Sequence, residues 1–350
     1  FFFYICSMKE KRYVNLPFQC VRVMKVLITG ASGFIGSHIV AEALRQGYDT
    51  WAAVRPTSSR RYLQDKRIRI IELDYADDQR LASQLHDVHD SHGQWDVVIH
   101  CAGATQCIHR ADFYTINYEY TRRLADALIS LDMVPRQFIF ISTLGTFGPI
   151  REARPFQPIG DTDSQQPNTD YGRSKRMAEE YLMSLPAFPY VIFRPTGVYG
   201  PRDRDYQILI DSIRHHVDLT LGSGMQRITF IYIADLVKAI FLAIDKEVVQ
   251  HCYFVTDGNV YGAHDFGDTV QQVLGIKRVW RLTVPLWLAQ GAAWVCDGIS
   301  RITRCSLTFN GDKYRILKQR NWTCDIGPLM SELGYRPQYD LQQGVKDMLE

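Results

Sequence analysis

Short apolar runs separated by longer segments of mixed polarity are the main feature of the first half of the chain. The runs predict buried strands at residues 24–28, 50–54, 67–73, 96–100, 138–142 and 190–194. Between them lie segments with the apolar periodicity of amphipathic helices, most clearly at residues 111–131 and 171–185. Continuous apolar strands that alternate with helices predict an α/β protein whose parallel sheet is covered on both faces.

The pattern changes after Pro195, where loops and short helices become more frequent. Further elements are predicted at residues 204–216, 234–245, 252–256 and 286–303. At 350 residues, the chain suits one large domain with a smaller partner domain. The predicted division is a nucleotide-binding domain at 24–194, to which 233–256 returns, and a mainly substrate-binding domain at 195–350. Residues 1–23 are expected to be a non-native or disordered extension.

Composition narrows the range of partners. With 40 Lys and Arg against 38 Asp and Glu, the near-neutral balance gives no electrostatic argument for nucleic acid, so a small-molecule partner is expected. The 8 cysteines form no CxxC pair, which favours a reducing cytoplasm and predicts neither a metal site nor a disulfide framework. No apolar stretch reaches the roughly 20 residues that span a bilayer, so no transmembrane segment is predicted.

A glycine-rich turn follows the first predicted strand. Residues 29–36 read TGASGFIG and lead into an amphipathic helix that Gly47 ends. Gly30, Gly33 and Gly36 would permit a tight turn and a close approach of the backbone to a pyrophosphate at the start of that helix. This arrangement predicts a nucleotide-binding site.

A candidate acid/base pair lies on the helix predicted at 171–185. Tyr171 and Lys175 are four residues apart, so their side chains lie on one helix face. A neighbouring ammonium is expected to stabilise the phenolate and lower the pKa of Tyr171 toward a useful range. Ser142 and Thr143 end the fifth predicted strand, where open parallel sheets bind ligands, and a hydroxyl there could orient a carbonyl or an alcohol.

These motifs together resemble those of the extended short-chain dehydrogenase/reductase family. This family contains nucleotide-sugar epimerases and relatives of 3β-hydroxysteroid dehydrogenase and dihydroflavonol reductase. The resemblance extends from Met24 to the C-terminus and rests on TGASGFIG (29–36), Asp74, HCAG (100–103), Asn117, STLGTFG (142–148), YGRSK (171–175) and RPTGVYGPR (194–202). It implies a Rossmann-type doubly wound sheet with a smaller C-terminal substrate domain, and a homodimer formed through the helices at 111–131 and 171–185.

The resemblance also implies site residues. The catalytic residues are Thr143, which orients the substrate, Tyr171 as acid/base and Lys175 as its partner and ribose ligand. The cofactor would be held by Gly30, Ser32, Gly33, Phe34, Ile35, Gly36, Arg55, Asp74, Ala102, Gly103, Asn117, Ser142, Tyr171, Lys175 and Pro195. Asp74 would contact adenine.

The end of the second predicted strand indicates which nicotinamide cofactor binds. NAD enzymes usually have an acidic residue there for the ribose 2′-hydroxyl, whereas this chain has Val54 and Arg55. A guanidinium pairs well with a 2′-phosphate, so NADP is favoured. The alternative is NAD, with Arg55 stacking on adenine.

Departures from the sugar-enzyme pattern favour a net oxidoreductase. The Asp-Glu pair of family dehydratases is absent from 142–148, and Gly197 stands where sugar epimerases commonly have Asn. Arg227 precedes Asp235 by one residue more than the usual spacing of the arginine that binds the second phosphate. Hydride transfer between NADP(H) and a secondary alcohol or ketone is the leading hypothesis. The alternatives are a nucleotide-sugar epimerase with tightly bound NAD and a non-catalytic NADP-binding regulator. Candidate substrate contacts are Thr105, Leu144, Phe147, Gly197, Tyr199 and Arg202.

The Trp/Leu-rich helix predicted at 286–303 has two interpretations. It packs on the substrate domain or closes the pocket, or it lies in a membrane interface as a peripheral contact. Arg301 and Arg304 adjoin its C-terminal end.

Overall fold

A computed structural model describes residues 23–150, 152–222, 225–303 and 307–350 of the chain. The predicted N-terminal extension therefore lies outside the described residues, apart from Val23. A helix able to cross a bilayer is not found in the described ranges.

Strands are numbered in chain order. They are β1 Lys25–Thr29, β2 Asp49–Val54, β3 Arg69–Glu72, β4 Val97–His100, β5 Gln137–Ile141, β6 Tyr190–Pro195, β7 Gly197–Tyr199, β8 Val217–Leu221, β9 Arg227–Ile228, β10 Phe230–Tyr232, β11 His251–Val255, β12 Trp280–Val284 and β13 Asn321–Trp322.

The α-helices are numbered in the same way. They are α1 Phe34–Arg45, α2 Asp78–His92, α3 Arg110–Tyr114, α4 Tyr120–Ser130, α5 Asp170–Ser184, α6 Asp205–Arg214, α7 Ile233–Asp245, α8 Asp265–Val273, α9 Leu286–Thr303, α10 Gly311–Leu317, α11 Gly327–Leu333 and α12 Leu341–Leu349. A π-helical turn at Thr115–Glu119 joins α3 to α4, and a 3₁₀ turn at Leu144–Thr146 follows β5.

Within the described ranges, seven strands form one parallel sheet in the order β11-β6-β5-β4-β1-β2-β3. The strand order reverses between β1 and β4, so the carboxyl ends of these two strands border a crevice of the kind that binds ligands in doubly wound folds. The predicted α/β fold with a parallel sheet is confirmed. Strand ends differ from the prediction by no more than about two residues, as expected where hydrogen-bonding patterns fray.

The sheet separates two apolar layers because successive strand side chains point to opposite faces. In β1, Val26 and Ile28 join the core beneath α1 and α7, whereas Leu27 joins the core beneath α2, α4 and α5. All three side chains are 0% exposed. Burial on both faces explains why the strands read as continuous apolar runs rather than as alternating patterns.

The single helix predicted at 111–131 is wrong in one respect. The π-helical turn at Thr115–Glu119 interrupts it, adding an extra residue per turn between α3 and α4. Periodicity alone does not reveal such a turn, because the apolar positions on either side still fit a helix. The π-helical turn matters for the candidate site because it contains Asn117, one of the predicted cofactor residues.

The rest of the chain lies beside this sheet in smaller pieces. Strands pair in parallel as β7 with β10, β8 with β12 and β9 with β13. Helix α12 packs on α8, and α9 packs on α10. Strand β11 adds to the edge of the main sheet beside β6, with His251 opposite Val191 and Val255 opposite Pro195.

Candidate active site

The glycine-rich turn lies at the crevice between β1 and β4. Gly30 has a φ of +64°, and its carbonyl accepts a hydrogen bond from the Gly33 N–H at 2.9 Å. A Cβ at Gly30 would lie 2.7 Å from the backbone nitrogen of Ala102, and one at Gly36 would collide with the Gly30 carbonyl. Gly33 is the N-cap of α1 and provides no side-chain cap. The glycines therefore let the turn pack closely on itself and on Ala102, and the first amides of α1, which have no side-chain cap, fit the pyrophosphate of a dinucleotide.

The neighbouring predicted cofactor residues lie at the same turn. Ser32, Phe34 and Ile35 are half-buried beside the glycines. On the β4 side, the Ala102 N–H donates to Thr29 Oγ1 at 3.2 Å, which fixes the loop that leaves β4 against the end of β1. The two walls of the crevice are thus joined by a hydrogen bond.

His100, the last residue of β4, stabilises this crevice through hydrogen bonds, a role that the HCAG motif does not reveal. Its Nδ1 lies 2.7 Å from Thr29 Oγ1 and its Nε2 lies 3.0 Å from Thr121 Oγ1. Thr121 donates its own hydroxyl hydrogen to the Asn117 carbonyl at 2.8 Å, so Nε2 must donate to Thr121 and Nδ1 must accept from Thr29. Burial, with the nearby Lys175 ammonium, lowers the pKa of His100 to about 3, so this imidazole is neutral.

Asn117 connects the π-helical turn to two other parts of the site. Its side chain accepts from the Ala104 N–H at 2.7 Å and donates to the Ala104 carbonyl and to Ser174 Oγ, both at 3.0 Å. A Cβ at Gly103 would lie 3.0 Å from Asn117 Oδ1 and 3.2 Å from Lys175 Nζ. Gly103, Asn117 and Lys175 therefore converge, and the absence of a side chain at Gly103 leaves room for the ammonium.

The predicted catalytic residues also lie together. Tyr171 is in the first turn of α5, with its hydroxyl near the Thr143 side chain at the end of β5. Thr143 Oγ1 also accepts from the Gly145 N–H at 3.1 Å. One turn along α5, Lys175 Nζ donates to the Ile141 carbonyl at 2.7 Å and lies 4.4 Å from the Phe140 ring centre.

The expected lowering of the Tyr171 pKa is wrong for this structure. Burial raises the pKa of Tyr171 to about 12, and the hydrogen bond from Thr143 offsets only part of that rise. Burial also lowers the pKa of Lys175 to about 8, although Cys101 and Glu179 act in the opposite direction. Lys175 is 4% exposed and its ammonium donates to Ile141, and desolvation is the main cause of both shifts.

At the adenosine end, Arg55 is exposed directly after β2, and its guanidinium makes no hydrogen bond or ion pair with the described residues. Arg60 pairs with Glu72 at 2.6 Å, and Arg61 lies over the Tyr62 ring. Arg55 is thus the cation at this end that remains available to a ligand.

Asp74 follows β3 and is already partnered. Its carboxylate accepts from the Ala76 N–H at 3.1 Å and pairs with Arg80 at 3.2 Å. Its N–H donates to the Gln84 side chain at 2.8 Å. These contacts hold the backbone turn at the end of β3 in place.

Ser142 is a predicted cofactor residue, but its hydroxyl does not face the crevice. It donates instead to Glu179, which is 0% exposed and also accepts from the Arg194 guanidinium at 2.8 and 3.0 Å. Gln165 donates to the same carboxylate at 2.8 Å. Sequence reasoning missed this network, which ties β5, α5 and β6 together and leaves the adjacent Pro195 buried at the end of β6.

Three of the predicted substrate contacts are also corrected, because their side chains are buried. Leu144, Phe147 and Tyr199 are each at most 2% exposed. Phe147 packs against Phe254, and the Tyr199 ring lies in an aromatic cluster that includes Tyr206. These side chains form core packing and present no surface to a ligand.

The other predicted substrate residues are dispersed. Thr105 is exposed on the loop after β4. Gly197 is half-buried, and a Cβ there would collide with the Tyr206 hydroxyl. Arg202 has a φ of +75°, donates to Ser37 Oγ of α1 at 2.9 Å and lies over the Tyr62 ring at 4.5 Å. Arg202 is therefore near the cofactor turn rather than near Tyr171.

A small cavity of about 50 Å³ adjoins the start of α5. It is bordered by Cys107 before α3 and Arg110 at the start of α3, and by Asp297 of α9 and Asp312 of α10. Asp312 is a further residue that sequence reasoning missed, because its partners at the start of α5 are about 140 residues away.

Comparison with known proteins agrees with this geometry. The sequence model of the NAD dependent epimerase/dehydratase family matches residues 26–255. A UDP-glucose 4-epimerase of Vibrio cholerae is 25% identical over 92% of this chain and 93% of its own length. A decarboxylating sterol-4-alpha-carboxylate 3-dehydrogenase of Dictyostelium discoideum is 22% identical over 92% of this chain and 99% of its own.

Solved structures show the same fold. The UDP-glucuronic acid 4-epimerase of Bacillus cereus, in complex with UDP-glucuronic acid and NAD, superposes with a TM-score of 0.72. It is 22% identical, and the match covers 93% of this chain and 98% of that one. With the family match spanning the glycine turn and the Tyr171–Lys175 pair, the chain belongs to the NAD-dependent epimerase/dehydratase family and is an enzyme of that family.

Proposed function

We propose that this protein catalyses reversible hydride transfer between NADP(H) and a secondary alcohol or ketone. The observation that carries the proposal is the convergence of the Thr143 and Tyr171 side chains at the carboxyl end of β5, one helical turn from Lys175. The nicotinamide cofactor supplies the hydride. The chain supplies a proton donor, a group that orients the substrate and a buried cation.

In the reduction, Tyr171 donates its hydroxyl proton to the carbonyl oxygen. Its raised pKa suits this role, because the phenol stays protonated throughout the neutral range. Thr143 is half-exposed and can donate to the same oxygen as negative charge develops there. Lys175 donates to the Ile141 carbonyl, and its ammonium can also bind the ribose hydroxyls and place a positive charge near the reacting groups.

Two features support a substrate without a nucleotide diphosphate. Gly197 replaces the Asn common in sugar epimerases, and the Tyr206 hydroxyl fills the space that such a side chain would need. Arg227 stacks over Phe156 at 4.9 Å, as Arg320 does at 5.3 Å, rather than standing in an open anion site. A neutral ketone or alcohol requires neither an Asn side chain at position 197 nor an arginine that is free to bind a diphosphate.

NADP is proposed over NAD because of Arg55. Its exposed, unpaired guanidinium at the end of β2 can bind a 2′-phosphate in bidentate fashion, and no carboxylate stands there for a 2′-hydroxyl. The NAD named with solved relatives is a property of those proteins.

Nucleotide-sugar epimerisation is the second candidate. It is favoured by the full-length similarity to the Vibrio cholerae epimerase, which covers both the cofactor domain and the C-terminal portion of the chain. The same Thr143, Tyr171 and Lys175 would then oxidise and re-reduce one carbon, with no net consumption of cofactor.

One experiment separates the two. The purified protein is assayed for consumption of added NADPH with a panel of ketones, and for interconversion of UDP-sugars by cofactor that co-purifies with it. We expect NADPH consumption with a ketone. Epimerisation without net NADPH use would instead establish the second candidate.

Matched variants test the mechanism in whichever reaction is found. Tyr171→Phe should abolish turnover because it removes the donated proton, whereas Tyr118→Phe, whose ring packs on Tyr181, should retain it. Full turnover by Tyr171→Phe would remove the proposed mechanism.

We also propose a homodimer formed through α4 and α5. These helices expose Ile129, Met177 and Met183, apolar side chains that a second copy would cover. Light scattering on a Met177→Glu/Met183→Glu variant should show a monomer where the unmodified chain shows a dimer.

A further inference from the structure

We propose that the outward face of α9, together with the β8–β12 ribbon, docks on an anionic phospholipid surface. This face is defined by Trp280, Leu282, Trp287, Leu288, Trp294, Val295, Ile299 and Ile302 and is called the tryptophan face below. The proposal concerns where the protein resides and is independent of the reaction that it catalyses.

The tryptophan face is exposed to an unusual degree for such large apolar groups. Trp280, Trp287 and Trp294 are 73%, 71% and 69% exposed, and Ile302 is 84% exposed. Isolated exposed apolar residues need no explanation, but a continuous patch of them marks an interaction surface.

Helix α9 holds this patch outward. Ala289, Ala293 and Ser300 lie on one side of the helix and are buried, the two alanines packing with Tyr314 and Phe309. At about 100° per residue, Trp287, Trp294 and Ile302 fall on the opposite side of α9. The outward residues between them, Gly291 and Gly298, are uncharged and have open space where a Cβ would stand.

The ribbon extends the patch. Leu282 of β12 stands opposite Leu219 of β8, and both are about half-exposed. Two residues along each strand, on the same face, Val284 and Leu221 pack against the Ala289–Ala293 cluster beneath α9. The exposed face of the ribbon is therefore continuous with the base of α9.

Within 277–303, the exposed charged side chains that lack a carboxylate partner among the described residues are all cationic. Lys277, Arg278 and Arg301 are exposed and have no carboxylate partner among the described residues, whereas Arg281 pairs with Asp268. Within 277–303 the one carboxylate is Asp297, which is half-buried and accepts from the Gly311 N–H at 3.3 Å. Tryptophans on an apolar face with a cationic rim are the composition of an interfacial helix that attracts anionic lipids.

This charge distribution disfavours a second copy as the occupant. In a two-fold interface each patch meets itself, so the cations of both copies would face each other. No exposed carboxylate within 277–303 is available to pair with them. An anionic lipid surface satisfies both the apolar area and the cations.

Vesicle sedimentation tests the proposal with the full chain. Vesicles of phosphatidylcholine are compared with vesicles of an equal mixture of phosphatidylcholine and phosphatidylglycerol. We expect binding to the anionic vesicles that weakens with added salt. Trp287→Ser/Trp294→Ser should reduce partitioning by about tenfold or more, as should Lys277→Glu/Arg278→Glu.

Val260→Ser serves as the control, because Val260 is 52% exposed and lies outside the tryptophan face. It should bind like the unmodified chain, and circular dichroism should show all variants folded. The proposal would be overturned if the unmodified chain bound neither kind of vesicle, or if the tryptophan variant bound the anionic vesicles as well as the unmodified chain does. A self-association that the tryptophan substitutions abolish, without any vesicle binding, would assign the face to a second copy instead.

Discussion

The carboxylate of Asp312 accepts a hydrogen bond from the backbone N–H of Tyr171 at 3.2 Å, and a second from the Asp170 N–H at 2.9 Å. These two amides begin α5 and would otherwise lack partners within the helix. Thr169 caps a third amide, that of Gly172, at 3.0 Å. A residue of α10 therefore fixes the end of the helix from which Tyr171 reaches Thr143, and the negative charge also suits the positive end of the helix dipole.

Asp312→Ala should lower kcat by about tenfold, because loss of the two bonds loosens the alignment of Tyr171. It should also cost about 1 kcal/mol of stability, as is typical of a lost helix cap. Asp325→Ala is the matched control, since Asp325 caps α11 through the Gly327 N–H at 2.8 Å and lies outside the site. Equal effects of both variants on kcat would mean that Asp312 acts through stability alone.

Acid pH provides a second test of Asp312. Burial raises the pKa of this carboxyl above its usual value, so protonation weakens its two bonds sooner than it would at the surface. The kcat of the unmodified chain should therefore fall on the acid side. In Asp312→Asn, which keeps an acceptor but does not titrate, that part of the pH profile should be absent.

Lys175→Met should inactivate the protein and stabilise it. Burial lowers the pKa of Lys175 from 10.5 to about 8, so the folded state disfavours the charged form and carries a penalty below pH 8. Removing this penalty, about 3.4 kcal/mol for the shift in pKa, outweighs the lost bond from the ammonium to Ile141, worth about 1.5–3 kcal/mol. The free energy of unfolding at pH 7 should therefore rise by up to about 2 kcal/mol.

The pH dependence of unfolding checks this prediction. In the unmodified chain, stability should rise as the pH goes from 8 to 10.5, because the unfolded state then binds more protons than the folded one. Denaturant unfolding of Lys175→Met should lack this rise. A variant less stable than the unmodified chain at pH 7 would contradict the prediction.

His100→Gln should make the protein more resistant to acid. The pKa of His100 falls from 6.5 to about 3 on burial, so stability is lost as the pH drops below 6.5, by up to about 1.4 kcal/mol per pH unit. Glutamine can donate to Thr121 and accept from Thr29 without titrating. Melting temperatures between pH 4 and pH 7 should change less in this variant, whereas His86→Gln, at an exposed site, should behave like the unmodified chain.

Arg55→Ala should weaken NADP binding by about tenfold or more and leave NAD binding nearly unchanged. A hydrogen bond to a charged group contributes about 1.5–3 kcal/mol, and only the 2′-phosphate distinguishes the two cofactors. Fluorescence titration measures both affinities. Arg61→Ala removes a guanidinium that rests on the Tyr62 ring, and it should leave the NADP preference intact. Equal or tighter binding of NAD, unaffected by Arg55→Ala, would contradict the proposed preference for NADP.

Several of the structural features above are visible in the sequence because they are local. The run from Val26 to Ile28 predicts a buried strand, and the spacing of Gly30, Gly33 and Gly36 predicts the turn that follows it. Their signals lie within about ten residues. Placement of Thr143 at the end of β5 follows from the same local pattern.

The missed features depend on residues that the fold brings from far apart. The bond from Asn117 to Ser174 joins residues 57 positions apart, and the Ser142 hydroxyl donates to Glu179, 37 positions away, instead of facing the crevice. The sequence predicts Leu144, Phe147 and Tyr199 as substrate contacts, for which apolar character is the only signal. That character is equally consistent with core packing, which is where the structure places them.

The sequence by itself determined the alternation of strands and helices, the glycine turn and the Tyr171–Lys175 spacing, because backbone geometry over a few residues fixes each of these. Only the tertiary structure determined the directions in which the pKa values of Tyr171 and Lys175 are shifted. Desolvation raises the pKa of Tyr171 and lowers that of Lys175, and it depends on every segment packed around them. The tether from Asp312 to Tyr171 has the same origin, since its two ends meet only when the chain is folded.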